Sequence, residues 1–440
     1  MDKQSPVPAS PGTGAVSPGT GTVDLSWCRA EFPALQLMVN GHPAAFLDGP
    51  GGTQVPQQVV EAMATYLIKK NANTHGAFLT SRATDETIAE ARAALADFLG
   101  ASPGEIAFGA NMTTLNFNLA RAIGRTLRPG DEIVVTELDH DANVSPWLAL
   151  EEQGAIIRWL PVNPETCTLD LDQLAGLLGR RTRVVAIGWA SNAVGTINDV
   201  ARAVRMAHDA GALAVVDAVH YAPHGPIDVR AIGCDFLLCS VYKFFGPHVG
   251  VLYGRRAAFE ALATYRVRPQ SPSAPEKIET GTLNHEGLAG AAAAVDFIAR
   301  LGRRYVDDFR PLLGAATGRR AEILAAMHAI EAHEGPLAAR LREGLAALPG
   351  VRVYGPPEGY PRTPTVSFTV AGHHPADVAR HLAERGLFVW DGDFYAVTLV
   401  ERLGLAASGG LVRVGLAPYN TLDEIERLLA AVEELARSRG

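Results

Sequence analysis

The chain predicts an α/β fold: a mostly parallel sheet covered by helices on both faces, with a smaller α/β domain after it. Two observations carry this. Between residues 106 and 216, short apolar runs alternate with helix-patterned segments, the sign of strands joined by helical crossovers. At 440 residues, 48% hydrophobic and 20% charged, the chain is long enough for two domains with cores of their own. A third observation bears on function. Polar residues gather at the carboxyl ends of the strands, where open α/β sheets bind ligands.

The elements follow in order. Residues 1–22 are low-complexity Pro, Gly, Ser and Thr, expected to be a disordered tail, and 23–45 are expected to pack on the small domain. Ala45-Phe46-Leu47 reads as a strand. Asp48 to Thr53 is a tight turn whose three glycines either only turn the chain or also cradle a ligand. Pro56 opens a helix. A polar stretch, 71–84, separates it from a helix over 85–99, and its His75 and Arg82 read either as substrate contacts or as solvated loop residues.

A strand at 106–109 runs into Asn111-Met112-Thr113-Thr114 and a helix over 115–127. Free amides and the positive end of the dipole suit such a helix start to a phosphate, although the two threonines also serve as plain N-caps. Strands at 132–135, 156–160, 184–189 and 212–216 then alternate with helices at 146–153, 170–178 and 199–210. Asn111 to Thr114, Asp139-His140, Ser191-Asn192, and Asp217 with His220 end these strands and should share one mouth. The large domain is expected to span 46–295 and close with an Ala-rich helix over 287–301. The small domain, 296–440, should hold helices at 315–333, 336–347 and 422–438 and strands at 351–354, 365–370 and 411–414.

Lys243 is the one charge in an otherwise apolar run, FLLCSVYKFFGPHVGVLYG, in a loop between two buried strands. Among Phe244, Phe245 and Gly246-Pro247 an ammonium loses hydration and its pKa falls, which makes it a usable nucleophile. The alternative is a lysine that snorkels to water. Asp217 ends the apolar strand 212–216, either as a buried carboxylate in need of a cationic partner or as the cap of the next turn. An anion cradle, a buried acid and a lysine two dozen residues later are the three parts that pyridoxal 5'-phosphate requires.

Composition excludes other classes. A net charge of −8 and a pI near 5.9 argue against nucleic acid, and no apolar run is long enough to span a bilayer. Cys28, Cys167, Cys234 and Cys239 are scattered, without metal or disulfide spacing, so no metal is expected. No apolar leader opens the chain, and a cytoplasmic protein is expected.

From about Phe46 to the C-terminus the chain resembles the class V aminotransferases of the fold-type I pyridoxal-phosphate enzymes, and among them the cysteine desulfurases. The resemblance implies a seven-stranded type of sheet, a homodimer with sites shared across its interface, and an amino-acid substrate. SVYKFFGP looks like the family's lysine loop, so Lys243 would hold the cofactor aldehyde and Ser240 would reach its phosphate. VVDAVH resembles the strand that puts Asp217 on the pyridine nitrogen, with His220 where desulfurases carry glutamine beside the ring hydroxyl. ELDHDANVSPW is similar to the loop whose histidine, here His140, stacks on the ring and shuttles protons. Asn111, Met112 and Thr113 fall at the family's phosphate turn, and in SNAVGTIND the match puts Asn192 on the substrate or ring oxygen. ETGTLN matches the stretch that crosses to the partner's phosphate, which points to Gly281 and Thr282. LVRVGLAPYNT resembles the strand whose arginine, Arg413, grips the substrate carboxylate through its planar fork.

One departure bears on the chemistry. Desulfurases carry an arginine and then a nucleophilic cysteine on the loop before that strand, and here Trp390 and Tyr395 stand at those positions. The expected function is therefore that of an enzyme acting on an amino acid through an external aldimine: a lyase cleaving a β-substituent of C–S type without a persulfide cysteine. The alternatives are a class V aminotransferase or epimerase, or a non-catalytic binding protein on the same fold. Trp390, Tyr395 and His75 join Arg413 and Asn192 as expected substrate contacts, with Tyr395 either an acid towards the leaving group or a pocket wall.

Overall fold

A computed structural model describes residues 23–437; the expected disordered tail, 1–22, lies outside the described residues. The main sheet is built from β1 (Ile106–Gly109), β2 (Glu132–Thr136), β3 (Ile156–Leu160), β4 (Thr182–Gly188), β5 (Leu213–Asp217), β6 (Phe236–Ser240) and β7 (Gly250–Gly254). Its spatial order is β1-β7-β6-β5-β4-β2-β3. Only β7 runs against the rest, pairing antiparallel with both neighbours. The reason lies in the link. Residues 241–249 are too few for the helical crossover that a parallel return needs, so the strand after the lysine loop must double back.

Alternate residues of each strand face opposite cores. Val185 and Ile187 of β4, with Leu237 and Cys239 of β6, point to the larger one. It is roofed by α1 (Gln57–Lys69), α2 (Leu79–Leu99) and α5 (His285–Gly302). Val184, Ala186, Phe236 and Leu238 face the other core with α3 (Met112–Gly124), Trp147 and Phe259, whereas α4 (Val200–Asp209) covers β4 and β5 on the side of the larger core. This period-2 division is what makes the strands read as unbroken apolar runs. Helix α2 starts six residues before the expected 85. Ser81 is drawn into it by accepting the Gly76 amide at 2.7 Å and donating to the Asn73 carbonyl at 2.6 Å, so the polar residues of 71–84 hold structure.

The second sheet has order β8 (Val351–Tyr354), β9 (Thr365–Val370), β11 (Leu411–Gly415), β10 (Trp390–Gly392), all antiparallel. With α7 (Pro375–Ala383) and α8 (Leu422–Arg437) it closes a third core around Phe368, Val412, Val414, Leu382 and Leu428. The two helices expected at 315–333 and 336–347 are one, α6 (Gly318–Ala347), with Pro336 inside it. Its first half (Ile323, Ala326, Ile330) is buried in the large core and its second (Ala338, Leu341, Leu345) in the small one, so α6 ties the domains together.

The residues around the expected first boundary make contacts with both domains. Residues 23–45 lie in the seam: Phe32 meets Phe245, Phe297 and Tyr419 edge-on, and Arg29 pairs with Glu424 at 2.8 Å. Ala45–Phe46 pairs in parallel with Leu387–Phe388, and Asp48 bridges Gly415, so the chain belongs to the small domain's edge until residue 48. The Ala-rich helix expected over 287–301 spans His285–Gly302. Among the described residues no helix is long and apolar enough to cross a membrane, and no His, Cys, Asp and Glu cluster is arranged to hold a metal.

Candidate active site

The lysine loop is pinned from its apolar side. After β6 ends at Ser240, a single 3-10 turn, Val241–Lys243, leads to Phe244, stacked on Phe98 at 4.6 Å, and to Phe245, edge-on to Phe297. With both rings in the core, Lys243 turns to the seam. Its Nζ donates to the Pro50 carbonyl and lies 4.8 Å from the Tyr242 ring centre. The turn after Asp48 is fitted to this loop: Thr53 N–H donates to the Tyr242 carbonyl at 3.1 Å, and Phe245 N–H to Thr53 Oγ1 at 2.7 Å. Burial pushes the amine down to about 7, Arg413 adds to this, and Asp217 and Asp48 oppose it.

Asp217 is buried at the end of β5, and its Oδ1 accepts the Val219 amide at 2.9 Å. Among the described residues no cation pairs with it, and burial followed by the nearby Asp139 pushes its carboxyl up to about 7. The cationic partner that the sequence called for is thus not supplied by the chain, which suits a protonated pyridine nitrogen. Asp139 fixes the floor, accepting from Asn143 Nδ2 at 2.8 Å and from Gly188 N–H at 2.9 Å. His140 accepts the Ala142 amide on Nδ1 at 3.0 Å and stacks on Tyr395 at 5.5 Å and 22°. Burial, Lys243 and Arg413 push it down to about 4. His220 turns Nε2 to the hydroxyls of Thr363 and Thr365, 3.0 and 2.9 Å away, so this nitrogen is tied to the small domain.

The anion cradle is at the start of α3. Asn111 caps the helix by accepting Thr114 N–H at 2.8 Å, and Met112 N–H donates to Ser240 Oγ at 3.1 Å, which leaves that hydroxyl its own proton to give. Thr113 is exposed between them. The close fit needs Gly250, where a Cβ would come within 2.4 Å of the Asn111 backbone. Gly281 and Thr282 are exposed on the single chain, just after Glu279, which Arg92 grips through two bonds of 2.8 and 2.7 Å. His75 is not brought to the site; it stands in solvent beside Asp85.

Arg413 comes from the middle of β11 and is 4% exposed. Nη1 donates to the Asn192 carbonyl at 3.0 Å, the guanidinium lies 4.3 Å over the Phe394 ring, and burial pushes it down to about 9. Trp390 pairs with Arg413 across the ladder and covers Gly51, so the glycine turn receives an indole at the seam. The sequence reading missed Asp48 and Phe394. Asp48 Oδ1 is buried without a hydrogen-bond partner among the described residues, and burial pushes the carboxyl up to about 6 against the pull of Arg413 and Lys243. An aspartate directly between a strand and a Gly-Pro-Gly-Gly turn was the available signal. All four cysteines are free and buried, with burial pushing the thiols up: Cys167 to about 11, Cys28 and Cys234 to about 12, Cys239 further.

A lysine amine, an unpaired carboxylate and a capped helix start at the mouth of a seven-stranded, mostly parallel sheet define a fold-type I, pyridoxal-phosphate-dependent enzyme. The chain belongs to the class-V aminotransferase family, which matches residues 45–310 and 312–428. It is 34% identical over 430 residues to a cysteine desulfurase of Dickeya dadantii, covering 94% of this chain and 97% of that one. It is 35% identical over 431 residues to a probable cysteine desulfurase of Mycobacterium leprae, covering 93% and 96%. Among solved structures, an apo cysteine desulfurase from Thermococcus onnurineus superposes with a TM-score of 0.79 at 31% identity, covering 89% of this chain and 94% of that one. A cysteine desulfurase from Escherichia coli in its S-sulfonic acid form gives 0.79 at 29%, covering 94% and 98%. The protein is a class-V enzyme of the cysteine desulfurase type.

Proposed function

We propose that this enzyme cleaves a β-substituent, of C–S type, from a cysteine-like amino acid without passing sulfur to a cysteine of its own. The observation that carries the reading is the state of its thiols. All four are buried, with burial pushing the thiols up, and by the resemblance the 386–396 loop has Trp390 and Tyr395 at the arginine and cysteine positions of the desulfurases. With cysteine the balanced reaction is cysteine plus water giving pyruvate, ammonia and hydrogen sulfide.

The residues fit the cofactor. Lys243 Nζ, lowered towards neutrality, would hold the aldehyde; Asp217 would take the pyridine nitrogen; and Asn111, Met112, Thr113 and Ser240 would take the phosphate. His140, with one face against Tyr395, would have the other for the ring, and His220, tied to Thr365, would stand beside the ring hydroxyl. When bound, the cofactor supplies an electron sink for bonds at the substrate Cα. Arg413 and Asn192 would hold the substrate carboxylate, and the Lys243 amine would take the Cα proton. Trp390 and Tyr395 would wall the entrance, and His140 would move protons.

Two copies complete the reading. Val60, Leu67, Ile68, Phe78 and Leu79 are large apolar residues exposed on and between α1 and α2, and Gly281 and Thr282 are exposed too. A second copy would cover the first group and take the second pair at its phosphate. The unpaired cysteines suit a reducing compartment, the cytoplasm.

The test is holoenzyme with cysteine and S-substituted cysteines, followed by absorbance and product analysis. Pyruvate, ammonia and sulfide or thiol in equal amounts are expected. Alanine with enzyme-bound persulfide, or turnover that requires a keto acid, would overturn the reading, the latter in favour of an aminotransferase.

A further inference from the structure

Two successive residues of the 386–396 loop, Phe394 and Tyr395, stand in the left-handed region, each with φ +57°. Side chains with a Cβ rarely adopt this backbone, and two in a row persist only where their surroundings hold them. The large domain does so. Asn192 Nδ2 donates to the Phe394 carbonyl at 2.8 Å, and Asp141 N–H donates to the Tyr395 carbonyl at 2.7 Å. Asp393 Oδ1 accepts the Tyr395 amide at 2.8 Å, and further along Arg402 pairs with buried Glu137. The turn sends the two rings to different tasks. Phe394 lies beneath the Arg413 guanidinium at 4.3 Å, and Tyr395 stacks on His140 at 5.5 Å.

We propose that Phe394 and Tyr395 are positioning residues for the reaction, holding Arg413 and His140 in their working orientations before the amino acid enters. This rests on the roles given to Arg413 and His140 above. Arginine is long and flexible, but a ring against its flat face and a carbonyl on Nη1 fix the plane of the fork. The substrate carboxylate then meets donors that need no reordering. In His140, Nδ1 accepts the Ala142 amide, so the neutral ring carries its proton on Nε2. Tyr395 keeps water from one face of that ring. The charges facing it are Lys243 and Arg413, which oppose protonation, and Asp393, which favours it. The tyrosine contributes a ring here, and its hydroxyl has no part.

Three variants test this. In holoenzyme, Phe394→Leu keeps apolar volume but removes the π face, and KM should rise about tenfold with a smaller change in kcat. Tyr395→Gly removes an exposed ring and relaxes the backbone, yet kcat should fall about tenfold. Tyr395→Phe should rescue most of that loss. In cofactor-free protein, the His140 titration followed by NMR should move up in Tyr395→Gly and return in Tyr395→Phe. If Tyr395→Phe is as impaired as Tyr395→Gly, the hydroxyl is the working group and the proposal fails. It fails as well if His140 titrates identically in Tyr395→Gly and the parent, or if Phe394→Leu leaves KM unchanged. The histidine titration needs neither cofactor nor substrate, so a wrong assignment of the reaction would leave it standing.

Discussion

At the scale of single residues, the site works by withholding water and counter-ions. Lys243 has an ordinary pKa of 10.5 but is held near 7, so its amine loses the proton as pH rises through 7 and stays uncharged above it. Capture of the cofactor aldehyde by apo-protein should therefore climb between about pH 6 and 8 and then level off. Arg413 is the second cause of the depression. Removing its charge in Arg413→Gln raises the lysine pKa, so the capture profile should move to higher pH, read by stopped-flow absorbance. A profile that stays in place would show that the two charges do not meet. Lys243 and Asp217 were legible because each is a charge set in an apolar run, which a folded chain must either neutralise or use. Asp48 was not legible in this way. Its carboxyl is raised because the closed seam buries it, beside Arg413 from more than three hundred residues later, which pulls the other way.

At the scale of elements, the phosphate end depends on how closely β7 passes α3. The bare Cα of Gly250 faces the Asn111 backbone, where a Cβ would stand 2.4 Å away. Gly250→Ala should destabilise the protein by about 1–3 kcal/mol, as overpacking does, and should weaken cofactor binding because the helix start is pushed aside. Thermal melts of apo-protein and cofactor titration read the two effects separately. The strands of the main sheet were legible from their apolar runs and the helices from their periodicity. The antiparallel sense of β7 followed from a link length that apolar patterning alone does not report. The continuity of α6 through Pro336 was hidden, because proline reads as a break unless two cores support the helix on either side of it. Strand β10 was hidden as well, since three residues carry no period and only the ladder with β11 identifies them.

At the scale of the whole molecule, the seam and the open face decide behaviour. Arg92 and Glu279 form a buried pair that also receives the Phe108 amide, and together they hold the start of the 280–282 stretch. Arg92→Gln leaves a buried carboxylate uncompensated, so about 3–5 kcal/mol of stability should be lost in denaturant unfolding. Ile68 is 79% exposed among other apolar side chains. Ile68→Asp should shift the protein to single copies in sedimentation and lower activity, since Gly281 and Thr282 would lose the site they are proposed to serve. A variant that sediments as the parent does would remove this surface from the interface.

The amino-acid sequence determined by itself the α/β class and the strand ends that make the mouth, and it singled out the candidate lysine, acid and helix start. Each of these is local: a charge in an apolar run, or a polar turn between a strand and a helix, has its physical meaning within a few residues. Only the tertiary structure decided that Asp48 comes beside Arg413 and Lys243, that His220 is tied to Thr363 and Thr365, and that Phe394 lies under Arg413 while Tyr395 stacks on His140. Those are contacts between distant segments, and their energies come from burial and distance, which exist only once the two domains have closed on each other.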